Sequence, residues 1–253
     1  MRIVSTTCSN TEIVCALGRA GWLVGVDRHS DHPPEVVARL PRVGPDLGVD
    51  PEAVASLRPD LVLASRTVPG HDRVVASLEN RGLRVVAPAP RSLHDVYRDI
   101  TEIGDLLEAR GAAERLVASM RDAIPTPAPR VESFPGILVE WWPKPVIVPG
   151  RDSWVTDLLA AARARNPWSD APVESRPVSD EEVRQRNPAA VVIAWCGVDP
   201  AKYRPSEVGR RPWSGVRAVE SGQIHMVPEA FLGRPGPRLV EGYRALDRIA
   251  RGL

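Results

Sequence analysis

Hydrophobic residues recur along this chain in two alternating patterns, short continuous runs and runs at helical spacing. Arg2-Ile3-Val4-Ser5, Trp22 to Val26, Leu61-Val62-Leu63-Ala64 and Leu83 to Ala87 read as strands. The unbroken apolar run at 61–64 suits a strand buried on both faces of a parallel sheet. Between the strands come short helical patterns. Ser9-Asn10-Thr11-Glu12 offers a capping box ahead of Ile13, Val14, Ala16 and Leu17, which Gly18 closes. Asp50 and Pro51 supply an N-cap and a first-turn proline for the next helix, and Val74 to Leu78 reads as another.

The longest helical pattern lies near the middle. Leu93, Val96, Tyr97, Ile100, Ile103, Leu106 and Leu107 share one helix face, and Leu116, Val117 and Met120 resume it, so the pattern predicts two helices with a break near Gly111. Pro125, Pro127 and Pro129 stop the second. Alternation then resumes: strands at 136–142, 191–195 and 224–227, helices at 154–164 and 239–251. Such alternation predicts an α/β fold of two Rossmann-like lobes with central parallel sheets. A helical connector would hold the lobes at a fixed spacing, with a ligand cleft between them. The expected divisions are 1–108 for the N-terminal lobe, 109–127 for the interdomain helix and 128–253 for the C-terminal lobe.

Composition narrows the function. The 253 residues carry 33 basic and 32 acidic side chains, a formal charge of +1, so no strong field for nucleic acid or an anionic membrane exists. Cys8, Cys15 and Cys196 lack paired spacing and read as small buried side chains rather than disulfides or zinc ligands. No apolar run reaches the length of a membrane-spanning helix. Met1 directly precedes the first strand, which points to the cytoplasm; a trimmed leader would leave the same start and place the protein outside the membrane.

Candidate chemistry sits where chains leave parallel strands at their carboxyl ends, after Ser5, Val26, Ala64, Trp142, Trp195 and Val227. Residues 6–10 open a helix and can donate backbone N–H groups. Asp27, His29, Asp31 and His32 crowd one loop without a metal-ligand spacing, so no metal site is expected. His71, His94 and His225 are isolated and read as surface or structural. Trp141, Trp142 and Trp195 fall at strand ends and together fit a hydrophobic wall for a large planar ligand, although each alone fits ordinary packing. No nucleophile elbow, P-loop, dinucleotide fingerprint or zincin motif occurs, so no enzyme is expected.

Several segments together resemble one family. Arg2-Ile3-Val4-Ser5, Thr11-Glu12, Ala16-Leu17-Gly18, Val24-Gly25-Val26, Ser30-Asp31-His32-Pro33, Val43-Gly44, Glu52 and Leu57-Arg58-Pro59-Asp60-Leu61-Val62 look like the N-terminal lobe of helical-backbone substrate-binding proteins of ABC importers, in the cobalamin-binding branch. Gly150, Val178-Ser179-Asp180-Glu181, Asn187-Pro188 and Arg234-Pro235-Gly236-Pro237-Arg238-Leu239 extend the resemblance over nearly the whole chain. It implies a monomeric, non-catalytic receptor for cobalamin or a related corrinoid, with no built-in cofactor. Alternatives are a siderophore or haem binder of the same fold, or a cytoplasmic corrinoid-handling factor or enzyme reusing the cleft. By the same resemblance, Glu52 and Glu181 match the pair that docks onto permease arginines. Arg234 matches a ligand-contacting arginine, and Glu229 lies near its acidic companion. Aromatic positions of the family's ligand loops fall here on His32, Asp46 and Ser65, which leaves Trp141, Trp142 and Trp195 to supply apolar surface.

Overall fold

The computed structural model describes residues 1–129 and 131–253. The chain forms two compact units: unit 1 comprises Met1–Pro90 and Asp95–Ser119, and unit 2 comprises Arg91–His94 and Met120–Leu253.

Unit 1 starts with β1 (Ile3–Ser5), α1 (Cys8–Ala16), β2 (Leu23–Val26) and the short α2 (Pro34–Val37). There follow α3 (Pro51–Ser56), β3 (Leu61–Leu63), α4 (His71–Asn80) and β4 (Val85–Val86). The four strands make one parallel sheet in the order β2-β1-β3-β4. Ile3, Val4 and Leu61 to Leu63 have at most 1% of their surface exposed, which is why their sequence is apolar without alternation. Each such side chain contributes roughly 1.5–3 kcal/mol by leaving water.

One local expectation fails in α1. Ser9 lies inside its first turn, and Thr7 is the N-cap, with no side-chain cap bond. The cause is tertiary: the Ser5 hydroxyl donates to the Thr7 carbonyl and the Thr6 amide to Leu63, fixing the strand-to-helix turn ahead of Ser9. Asp50 does cap α3, accepting from the Glu52 amide at 2.9 Å with Pro51 in the first turn.

The central helices are α5 (Leu93–Leu106) and α6 (Arg110–Ala123). Their break falls at 107–109, not at Gly111, which is helical. Glu108 takes a left-handed backbone (φ 50°), and the Arg19 guanidinium collects the carbonyls released there, those of Leu107 at 3.0 Å and Glu108 at 2.6 Å. Gly104 lets the two helices meet closely.

Unit 2 opens with β5 (Ile137–Glu140), then β6 (Trp142–Pro143) and β7 (Val146–Pro149). Helix α7 (Trp154–Ala161), β8 (Ser175–Val178), α8 (Asp180–Arg186) and β9 (Ala190–Ile193) follow. The chain closes with α9 (Pro205–Gly209), α10 (Arg217–Glu220), β10 (Ile224–Met226), α11 (Glu229–Leu232) and α12 (Leu239–Arg251). Strands β10-β9-β5 form a parallel sheet, and β6-β7-β8 a separate antiparallel one. The expected strand 136–142 therefore divides at Trp141, whose amide bonds the Ile147 carbonyl at 2.8 Å and turns the chain into a hairpin. Cys8 and Cys15 are half-buried and Cys196 is exposed, so Cys196 is not the buried filler expected.

A Cβ added at Gly104 would lie 2.4 Å from the Ala113 Cβ, whereas one at Gly111 would meet only the Arg115 guanidinium, at 3.4 Å. Gly104→Ala is expected to cost about 1–3 kcal/mol by overpacking. Gly111→Ala is expected to be neutral or to stabilise by up to about 1 kcal/mol. Urea unfolding of the two variants checks the contrast.

Candidate functional site

In unit 1 the chain leaves β1 to one side for β2 and returns on the other as β3, so the carboxyl ends of β1 and β3 flank the point where strand order reverses. Ligands of open parallel sheets gather at that point. The residues there are small and hydroxylic. Ser5, Thr6, Thr7, Ser9, Asn10, Thr11 and Ser65 are all buried. Most are satisfied internally: Thr11 Oγ1 bonds Ser5 and Ser30 at 2.9 Å each, the Asn10 amide donates to the Ala64 carbonyl at 2.6 Å, and Ser65 Oγ bonds Thr67 Oγ1 at 2.9 Å. Thr7 Oγ1 is buried with no partner among the described residues.

Beside these hydroxyls lies Asp27, buried at the end of β2. It accepts from the His29 amide at 2.8 Å and from the Ser30 hydroxyl, and the Cys8 thiol lies 3.8 Å away. Arg42 laces the same loop by donating to the carbonyls of Asp27 and Ser30. Asp27 is thus a structural acceptor, and His32, further along the loop, is exposed. Among the described residues no group of three or more His, Cys, Asp and Glu could hold a metal.

Asp46, ahead of α3, faces His71 at the start of α4 in the same unit. His71 is 3% exposed and accepts the Val68 amide at Nδ1, 3.3 Å away, so a neutral ring carries its proton on Nε2. Nε2 lies 3.6 Å from Asp46 Oδ2, too far for a hydrogen bond. The imidazole facing Asp46 still holds that carboxyl below its ordinary value, against the opposing effect of burial. His71 is therefore structural, as its isolation in sequence implied, and its acidic partner is one of the ligand-loop candidates.

Unit 2 presents ions instead of hydroxyls. Glu140 ends β5 with none of its surface exposed. Arg211 grips it through two bonds of 2.6 and 2.7 Å, and the Trp195 indole donates a third at 2.7 Å. Tyr203 packs edge-on against Trp195, ring centroids 5.5 Å apart, and donates to the Trp195 carbonyl at 3.2 Å. Its hydroxyl in turn accepts the Glu229 amide at 3.2 Å, and burial pushes its pKa up to about 12, so it stays a donor. Glu229 and Arg234 form an ion pair at 3.3 Å with side chains 18% and 11% exposed.

The three tryptophans thus occupy three environments. Trp195 is core, 5% exposed and held by Glu140 and Tyr203, which is the packing role each tryptophan could have had. Trp142 is 42% exposed on the β6–β7 hairpin, its indole donating to the Lys144 carbonyl at 3.2 Å. Trp141 is half-buried. Sequence reasoning missed Glu140, Arg211 and Tyr203. A carboxylate closing the apolar run Ile137-Leu138-Val139 was the available signal, because a charge there needs a buried partner.

Residues 3–230 match the sequence family described as periplasmic binding protein. The chain belongs to the periplasmic binding protein family. It is 31% identical to the uncharacterized ABC transporter substrate-binding lipoprotein YvrC of Bacillus subtilis, over 97% of this chain and 78% of that one. A vitamin B12-binding protein of Pectobacterium carotovorum is 26% identical over 94% and 84% of the two chains. The crystal structure of a periplasmic heme binding protein from Pseudomonas aeruginosa superposes with a TM-score of 0.80 at 28% identity, covering 98% of this chain and 92% of that one.

Within this periplasmic binding protein, Glu52 and Glu181 occupy equivalent places. Each is the second residue of a capped helix, behind Asp50 and Ser179, and each helix leads into an interior strand, β3 or β9. Both carboxylates are exposed, at 70% and 59%, and each pairs locally: Glu52 with Arg81, Glu181 with Arg184 at 2.6 Å and Gln185 at 2.9 Å.

Burial raises the Asp27 carboxyl above its ordinary value despite the Ser30 hydroxyl and His29 amide, which pull it down. A raised folded-state value means that the unfolded chain releases this proton first. The resulting stability is complete below the ordinary carboxylate range and is lost as pH rises through the folded value. Asp27→Asn should therefore flatten the fall in stability as pH rises above the ordinary carboxylate range, read by urea unfolding. The same slope in both proteins would assign that pH dependence elsewhere.

Proposed function

We propose that this chain is the substrate-binding component of an ABC importer and that its ligand is a corrinoid of the cobalamin type. The observation that carries the ligand class is the Glu229–Arg234 pair, a largely buried donor and acceptor set side by side at the carboxyl end of β10. A guanidinium answers a carboxamide oxygen and a carboxylate answers a carboxamide N–H, so the pair suits a periphery of neutral amides. Corrinoids carry such a fringe. The hydroxyls and the Asp46–His71 pair of unit 1 are likewise without excess positive charge. The likeness to a vitamin B12-binding protein supports the same reading.

Haem is the second reading, favoured by the likeness to the Pseudomonas heme binding protein. Its two propionates call for cations that are not already neutralised, and Arg234 is engaged by Glu229. Ferric siderophores belong to the same class of test ligands. Absorbance titration of the purified protein with cyanocobalamin, haem and a ferric hydroxamate separates the three. Binding of haem or the siderophore alone would overturn the corrinoid reading. Arg234→Ala is expected to weaken cyanocobalamin binding by about 1–3 kcal/mol by calorimetry, and unchanged affinity would remove Arg234 from the ligand contacts.

An importer receptor works outside the cytoplasm, and the likeness to a lipoprotein and to periplasmic proteins supports the extracytoplasmic alternative over the cytoplasmic one. Glu52 and Glu181, at equivalent positions on exposed helix starts, are the docking carboxylates. Each must exchange an intramolecular arginine for one on the permease, so the net gain per contact is small, under about 1 kcal/mol. Orientation and encounter rate are what such charges set. The double variant Glu52→Ala, Glu181→Ala is expected to keep ligand affinity and to slow association with the cognate permease, most at low salt. Association unaffected at low ionic strength would exclude these carboxylates from docking.

A further inference from the structure

We propose that the buried Glu140–Arg211 pair is a positioning element that couples the first turn of α8 to the Glu229–Arg234 pair, so that a change at either end is felt at the other. This rests on the reading that α8 faces the permease and that Glu229–Arg234 meets the ligand.

The links are continuous and lie within unit 2. Asp180, beside Glu181 in the first turn of α8, accepts the Trp213 indole N–H at 2.6 Å. The Arg211 guanidinium lies 4.7 Å from the centroid of that indole and forks onto both oxygens of Glu140. The remaining acceptor capacity of Glu140 Oε1 holds the Trp195 indole. From Trp195 the path runs through its carbonyl to the Tyr203 hydroxyl, then to the Glu229 amide and, through the Glu229 carboxylate, to Arg234. Trp213, Glu140, Tyr203 and Trp195 are at most 5% exposed.

Burial makes this path stiff. An exposed pair can trade its partner for water, but a carboxylate and a guanidinium out of water must keep each other, so a shift of one moves the other. Planar indoles and the guanidinium fork also admit few alternative geometries. A pair serving stability alone would require only Glu140 and Arg211. Here each of its outer faces is occupied by an aromatic donor whose second contact leads on, one towards α8 and one towards α11.

Amide hydrogen exchange of the ligand-free protein tests this without reference to any ligand. Asp180→Ala removes the link at one end from a half-buried position, and Tyr203→Phe removes it at the other by deleting one hydroxyl. Asp180→Ala is expected to speed exchange at the amides of Phe231 and Gly233 by about 5-fold, and Tyr203→Phe to do the same at Glu182 and Val183, while the β5 and β9 amides keep their protection. Changes confined to the substituted end would overturn the proposal. Uniform loosening that includes β5 and β9 would also overturn it, because it would mark the path as structural only. With cyanocobalamin as probe, Asp180→Ala should further weaken binding by about 5-fold. If the unsubstituted protein does not bind cyanocobalamin, the corrinoid reading fails while the exchange result stands.

Discussion

A carboxylate with no exposed surface closes the strand Ile137–Glu140, and much of unit 2 is arranged so that this charge is tolerable. Removing an ion from water costs several kcal/mol even after relaxation, and Coulomb attraction offsets this only with near-ideal geometry and further hydrogen bonds. Arg211 supplies the opposite charge in a fork, and Trp195 supplies the third donor. Those two requirements fix the indole of Trp195 in the core, the stacking of Arg211 on Trp213, and the meeting of Trp213 with the start of α8. Such a pair adds little net stability compared with an apolar filling, but it penalises any packing that separates its members.

The two units satisfy the polar ends of their parallel sheets in different ways. At its strand ends unit 1 uses neutral groups: serine and threonine hydroxyls bond one another and nearby carbonyls, and the buried Asp27 carboxylate is met by hydroxyl, thiol and amide donors. Unit 2 uses ion pairs, Glu140 with Arg211 and Glu229 with Arg234.

The exposed carboxylates obey opposite physics. Glu52 and Glu181 project into solvent from equivalent helix starts and are paired with arginines of their own chain. Water screens these pairs, so they are exchangeable, whereas the buried pairs are not. A receptor can in this way combine a rigid polar interior with surface charges free to change partners.

The sequence by itself determined the elements whose signal is local. The apolar runs at 3–4, 61–63, 137–139 and 190–193 lie in strands because a strand buried on both faces has no polar side to show. Asp50 with Pro51 marked the start of α3, and the repeated strand-helix alternation marked an α/β fold of two units with parallel sheets. A family-matched segment also carried Arg234, with Glu229 near the place of its acidic companion, and the fold brings the two together as a pair. Tertiary structure alone decided the rest. Arg19 sets the break between α5 and α6 by capturing carbonyls 88 and 89 residues away, overriding the glycine that marked it in sequence. The turn after β1 moved the cap from Ser9 to Thr7 through a bond to Leu63 in β3. Arg211 finds Glu140 across 71 residues, and the resulting core claims Trp195. No periodicity encodes such partners, since they are chosen by which distant charge and donor reach a buried site in the folded chain.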